Sequence, residues 1–281
     1  MESSGTTQES RLRLNTAIVH DLLVRFLKDE TNNAGFSKVV IGISGGVDSA
    51  LATALSVEAF GKGNVIGVLM PYRTSNPKSA EDANTLCGQL GIRPETVDIT
   101  AMADAYSKVQ NVADPIRRGN LMARVRMIVL YDISAREKAL VVGTSNKTEI
   151  MVGYGTLHGD TACAINPLGD LYKTQVWQLA EAVGVPKQIV AKAPTADLWE
   201  GQTDEGELGI SYKTLDEILF QIVDERSTDA ELAQMKFDSP LVTRVREMIR
   251  KNQFKRRPPL IAKLSYRTVN VDFNYPRDWG I

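Results

Sequence analysis

Val39-Val40-Ile41-Gly42-Ile43-Ser44-Gly45-Gly46-Val47-Asp48-Ser49 is the stretch that decides the fold. An apolar, β-branched run passes into two adjacent glycines and then a helix-forming segment, which reads as strand, phosphate loop and helix. Adjacent glycines permit positive φ and let backbone amides approach a phosphate. The helix N-terminus adds unpaired N–H groups and a partial positive charge. A GxxxxGK[ST] loop would bring a lysine to the β- and γ-phosphates; this loop carries Asp48 instead. A carboxylate beside phosphates is repulsive unless a cation bridges them, and Mg²⁺ with oxygen ligands from protein and nucleotide is the natural bridge. The segment therefore reads as a magnesium–pyrophosphate cradle. A glycine-rich turn without a ligand is the competing reading. Asp48-Ser49, completing SGGVDS directly after a buried-strand pattern, weighs against it.

Upstream, residues 1–9 are polar and expected to be disordered. Leu14, Ile18, Val19, Leu22, Leu23 and Phe26 then keep helical spacing to about residue 31. Downstream, a helix over 49–60 ends at Gly61, and 64–70 is a second apolar strand ended by Pro71. The spacing predicts a helix over 79–90, a strand over 96–99, a helix over 115–137 and a fourth strand over 139–143. Continuous apolar strands alternating with helices indicate a doubly wound, Rossmann-like parallel sheet covered on both faces. Ligands bind such sheets beyond the strand carboxyl ends, where strand order reverses. The strands leading into Ser44 and Thr144 are expected to be neighbours there. Beyond about residue 170 the pattern is mainly helical, and the tail from Phe254 is rich in Arg, Pro and aromatics. The expectation is a single domain over 10–281, an α/β core to about 170 with a helical extension over 171–281.

Composition narrows the function classes. The 281 residues are 43% hydrophobic and 24% charged, with a formal net charge of −1. That balance argues against bulk nucleic-acid binding, which needs a broad basic surface. No apolar run approaches the ~18 residues of a membrane span, and the N-terminus shows no secretory signal, so the cytoplasm is the expected compartment. Cys87 and Cys163 are isolated, which excludes a disulfide scaffold and a CxxC zinc site. His20 and His158 are the only histidines, too few for a multi-histidine metal site. His20 reads as structural, and His158 lies in a glycine-flanked loop.

A second constellation follows the fourth strand: Gly143-Thr144-Ser145-Asn146-Lys147-Thr148-Glu149. Thr144 stands where a strand-end hydroxyl can meet phosphate or ribose. Asp48 and Glu149, from adjacent strand ends, make a Mg²⁺ site. The bland reading makes Ser145 or Asn146 a helix cap and Glu149 its dipole partner. The next loop, Gly153 to Asp160, carries Gly153, Gly155 and Gly159, a density that predicts a mobile segment able to close over a substrate. The segment 244–257 holds seven Lys or Arg against Glu247. It suits phosphate recognition and competes with a solvated basic face.

SGGVDS, GTSNKTE, GYGTLHGD, NPLGDLYKT and PTADLWEGQTDEGELG, in that order, resemble the ammonia-dependent NAD⁺ synthetases within the wider ATP-pyrophosphatase group. The resemblance covers about residues 12–276. It implies ATP-dependent adenylation of the nicotinate carboxylate of deamido-NAD⁺ and its displacement by ammonia, giving NAD⁺, AMP and pyrophosphate, in a homodimer. It implies ATP contacts from Gly42, Ile43, Ser44, Gly45, Gly46, Val47, Asp48 and Ser49, and from Thr144, Lys173 and Thr195. Asp48 and Glu149 would hold Mg²⁺, Arg124 and Lys255 would touch the dinucleotide, and Asp160 would handle ammonia or a second Mg²⁺. Leu157, Ala164 and Phe254 depart from the family pattern, where a lysine, an aspartate and a histidine are usual, so a rebuilt dinucleotide pocket is expected. Glutamine-dependent relatives add an amidase domain for which no segment here has room, so free ammonia is the expected nitrogen source. Two other readings stay open. One is another ATP-pyrophosphatase acting on a tRNA base or purine; the other is a nucleotide sensor without turnover, which has no need of Glu149 and Asp160 beside Asp48.

Overall fold

The computed structural model describes residues 11–195, 197, 201–269 and 271–272. The expectations for residues 1–9 and for the tail beyond 272 lie outside them. Helix α1 (Thr16–Asn33) is capped by Asn15 and leads to β1 (Lys38–Gly42), whose three central residues are fully buried. After the phosphate loop come α2 (Val47–Phe60), β2 (Val65–Leu69), α3 (Pro77–Leu90), β3 (Glu95–Thr96), α4 (Thr100–Val109), α5 (Pro115–Glu137) and β4 (Ala139–Val141). All strands are parallel, in the order β3-β2-β1-β4. The chain steps outward from β1 to β3 and then returns to pair β4 with the other side of β1. Strand order therefore reverses between β1 and β4, as expected, and the loops holding Asp48 and Thr144 open side by side.

One apolar layer packs α1, α2 and α3 on one face of the sheet, and another packs α4 and α5 on the opposite face. Helix α4 is missing from the sequence-based reading. Its signals are present but short: Asp98 accepts a hydrogen bond from Thr100 N–H at 2.7 Å, at the first residue of the helix and directly after a strand expected to run to 99. Strand β3 ends earlier, at Thr96.

The C-terminal half adds α6 (Lys147–Val152), α7 (Lys173–Ala182), α8 (Lys187–Val190), α9 (Asp204–Leu208), α10 (Tyr212–Val223), α11 (Asp229–Gln234) and α12 (Ser239–Lys251). Helix α7 joins the sheet's first apolar layer, while α10 and α12 build a separate cluster around Tyr212, Leu215 and Leu219. The two meet at Asp216 of α10, a fully buried carboxylate. It accepts hydrogen bonds from Thr148 Oγ1 at 2.5 Å and from Thr174 N–H at 2.7 Å, so it holds the N-termini of α6 and α7 together.

Burial pushes the Asp216 carboxyl up to about 6 against these hydrogen bonds. A folded value above the unfolded one favours the protonated form. The associated stability is present below about pH 4 and is lost as pH rises through about 6. Asp216→Asn, which keeps the shape without the charge, is expected to remove this dependence. Denaturant melts should show the wild type losing on the order of 3 kcal/mol relative to the variant between about pH 4 and 7. A difference independent of pH would contradict the assignment.

Candidate active site

The phosphate loop is built as the sequence suggests. Gly45 adopts φ +76, and a Cβ there would lie 2.2 Å from the Ser79 carbonyl oxygen, so only glycine fits. Helix α2 has Gly46 at its N-cap with no side-chain capping bond, which leaves its N-terminus available to an anion. Ser49 Oγ donates to Gly46 C=O and accepts from Ser44 N–H, tying the loop to the first turn.

Asp48, in that first turn, and Glu149, at the third position of α6, converge on Lys173 Nζ at 2.5 and 3.4 Å. Lys173 opens α7 and its side chain is 2% exposed. Asn146 caps α6 through Glu149 N–H and also donates to Asp48 Oδ1 at 2.9 Å. Glu149 completes the capping box with Oε2, which accepts from Asn146 N–H, while Oε1 faces Lys173. Glu149 is thus a cap partner and also a member of the charged centre. Burial lowers the Lys173 ammonium and the two carboxylates more than restore it, leaving it raised; burial lifts Glu149 to about 8, opposed mainly by Lys173. Two carboxylates share one cation, and burial holds Glu149 toward its neutral form. No group of three or more His, Cys, Asp or Glu suited to a metal occurs among the described residues. The two carboxylates, as oxygen donors, fit a hard cation such as Mg²⁺, which takes one or two carboxylates and completes its shell with phosphates and water.

A cavity of about 870 Å³ extends from this centre, within the range of small-molecule sites. Gly42, Ile43, Ser44, Gly46, Val47, Asp48, Ser49, Thr144, Glu149, Asp160, Lys173, Thr195 and Lys255 all line it. Gly45 sits behind the loop, its carbonyl facing Lys192 Nζ at 3.4 Å. Arg124 does not line the cavity. It is exposed, and its Nε donates to Leu157 C=O at 3.3 Å.

The glycine-rich loop is tethered. Lys255 Nζ donates to the carbonyls of Gly153 and Gly155 at 2.7 and 2.8 Å, and Thr156 Oγ1 bonds Asn120 at 2.7 Å. Asp160 turns its Oδ1 back to Thr156 N–H at 2.8 Å. The protein walls around it hold its carboxyl above the usual carboxylate range, against that hydrogen bond and the charge of Lys255. Most of the basic segment 244–257 is structural: Arg256 caps the carbonyls of Ile150, Met151 and Ile249, and Arg246 pairs with Asp229.

Three wall features escaped the sequence reading. Lys192 ties the phosphate loop to α3 through Ser79 Oγ at 3.1 Å and Asp82 at 3.2 Å. Tyr154 and Tyr212 both donate to buried Asp204 at 3.0 Å. Arg126 stands in the wall two residues from the arginine singled out by motif. The first two signals are scattered along the chain; the third was open to a helical-face argument.

A family model described as NAD synthase matches residues 19–259. The chain is 53% identical over 271 residues to a Trichlorobacter lovleyi protein named NH(3)-dependent NAD(+) synthetase, covering 96% of this chain and 99% of that one. Among solved structures it resembles the NH3-dependent NAD synthetase of Campylobacter jejuni, with 33% identity, a TM-score of 0.77, and 89% of this chain and 100% of that chain covered. The NMN synthetase of Francisella tularensis is similarly related, with 32% identity, a TM-score of 0.78, and 89% and 99% covered.

Proposed function

This chain belongs to the NAD synthase family, and from that premise we propose how its residues carry out the family's reaction. It is a ligase that forms a C–N bond, amidating deamido-NAD⁺ with ammonia at the expense of ATP. The observation that carries the site assignment is the convergence of Asp48 and Glu149 on one buried cation beside the phosphate loop.

A carboxylate is a poor acyl donor because its charge repels nucleophiles and its oxygen does not leave. One carboxylate oxygen attacks the α-phosphorus of ATP, the bond to the β-phosphate oxygen breaks, and pyrophosphate departs. The loop from Gly42 to Ser49 and the N-terminus of α2 hold the phosphates in line, with Lys173, Thr144 and Thr195 as further ATP contacts. Asp48 and Glu149 would hold Mg²⁺, which when bound would neutralise charge on the departing pyrophosphate. Ammonia nitrogen then attacks the acyl carbon, and AMP leaves with one of the original carboxylate oxygens. Ammonia is mostly protonated near neutrality. Asp160, whose raised carboxyl is the better base, binds ammonium and takes its proton. Lys255 holds the loop that presents Asp160, and Arg124 meets the dinucleotide where it leaves the cavity past Leu157.

The functional unit is a homodimer. Tyr106 and Val109 on α4 and Ile116, Ile128 and Tyr131 on α5 are exposed apolar side chains that support this reading. No helix among the described residues is long and apolar enough to cross a membrane, and the proposed compartment is the cytoplasm.

Purified protein given ATP, Mg²⁺, ammonium and either deamido-NAD⁺ or nicotinate mononucleotide tests the substrate. Dinucleotide is expected to be amidated with equal amounts of NAD⁺ and AMP. Preference for the mononucleotide, the kind of product named for the Francisella relative, would overturn the choice. Asp160→Asn is expected to raise the ammonium KM about a hundredfold with the ATP KM little changed. Equal effects on both would remove Asp160 from nitrogen handling.

A further inference from the structure

Arg124 and Arg126 lie two positions apart on α5, about 200° around the helix axis, and only Arg126 faces the cavity. Its Nε is fixed by the Met70 carbonyl at 3.1 Å, just past the end of β2. Among the described residues, its terminal nitrogens have no acceptor and it forms no ion pair. By contrast, Arg136 pairs with Glu95, and Arg256 donates to three backbone carbonyls. Asp160 and Asp197 attract Arg126 from a distance, but burial outweighs them and holds the guanidinium below its ordinary value. An anchored, half-buried cation without a counter-charge is costly to keep, and its planar fork suits carboxylate or phosphate bidentately.

We propose that Arg126 is a substrate-binding residue whose fork takes an anionic oxygen pair, carboxylate or phosphate, brought into the cavity by the reactants. The inference rests on the adenylation reading above for which anions those are. Adenylation brings two anions, a carboxylate and the α-phosphoryl group, to bonding distance. A fixed cation on the α5 side of the cavity reduces that repulsion from the side away from Lys173. Carboxylate and phosphate share this chemistry, so separate binding measurements identify the source.

Calorimetric titration of Arg126→Met and Arg126→Lys with α,β-methylene-ATP and Mg²⁺, and separately with deamido-NAD⁺, tests the proposal. Melting temperatures of the ligand-free proteins are measured alongside. Arg126→Met is expected to lose at least about tenfold in affinity on one arm or both, with an unchanged or higher ligand-free melting temperature, because an unmatched charge has been removed. A loss with the ATP analogue assigns phosphate, and a loss with the dinucleotide assigns the anions of that substrate. Arg126→Lys, which keeps the charge without the fork, should lose less and provides the answer if the methionine variant does not fold. Wild-type affinity on both arms overturns the proposal. So does affinity lost only together with melting temperature, which marks a structural arginine. Because binding is read without turnover, failure to amidate deamido-NAD⁺ would refute the reaction while leaving a loss with the ATP analogue intact.

Discussion

Asp48→Asn is expected to lower kcat by roughly a thousandfold or more while leaving the ligand-free melting temperature essentially unchanged. The stability half follows from charge count. Around Lys173 the wild type places two carboxylates, and burial already lifts Glu149 to about 8. Removing the Asp48 charge leaves Lys173 balanced by Glu149 alone, and the asparagine's single oxygen can accept from either Asn146 Nδ2 or Lys173 Nζ. The fold therefore keeps a neutral, hydrogen-bonded centre. The catalytic half follows from position: Asp48 sits in the first turn of α2, where the departing pyrophosphate needs neutralisation. Steady-state kinetics across a Mg²⁺ titration, with a thermal melt of the same sample, check both halves. Normal turnover with an unaltered Mg²⁺ requirement would remove Asp48 from the metal site.

Lys173→Met should do the reverse to stability. It leaves Asp48 and Glu149 without the ammonium they share, and breaking such a buried pair costs about 3–5 kcal/mol. It also removes the cation lying 5.1 Å above the Tyr212 ring. The variant is expected to melt well below the wild type in chelator and to regain much of the difference in millimolar Mg²⁺, because a divalent ion can take the vacated place. Turnover should remain at least about a hundredfold down, since the ATP contact is gone. A melting temperature that ignores Mg²⁺ would mean that the two carboxylates do not form a cation site.

The parallel sheet and the site's acidic members were legible because each rests on a local signal. Buried-strand patterns precede SGGVDS and GTSNKTE, and the reversal between β1 and β4 brings Asp48 and Glu149 together. Lys173 came from a motif match; its insertion between the carboxylates depends on α7 packing beneath the sheet, which no spacing encodes. The glycine-rich loop read as mobile because glycine count reports backbone freedom and not tethering. Lys255, about a hundred residues downstream, supplies the bonds that fasten it. Arg124 drew attention through its motif, whereas a face argument along α5 would have turned attention to Arg126. Lys192 and the Tyr154–Asp204–Tyr212 group are assembled by tertiary contacts alone, and nothing local marks them.

The central claim is that the substrate carboxylate is activated by taking AMP at the Asp48–Glu149–Lys173 centre. Its most direct test starts from deamido-NAD⁺ carrying ¹⁸O in both carboxylate oxygens, turned over with ATP, Mg²⁺ and ammonium, with mass analysis of the nucleotide products. The expected result is AMP bearing one ¹⁸O per NAD⁺ formed and pyrophosphate bearing none. Label in orthophosphate with ADP as co-product, or AMP free of label, would contradict it.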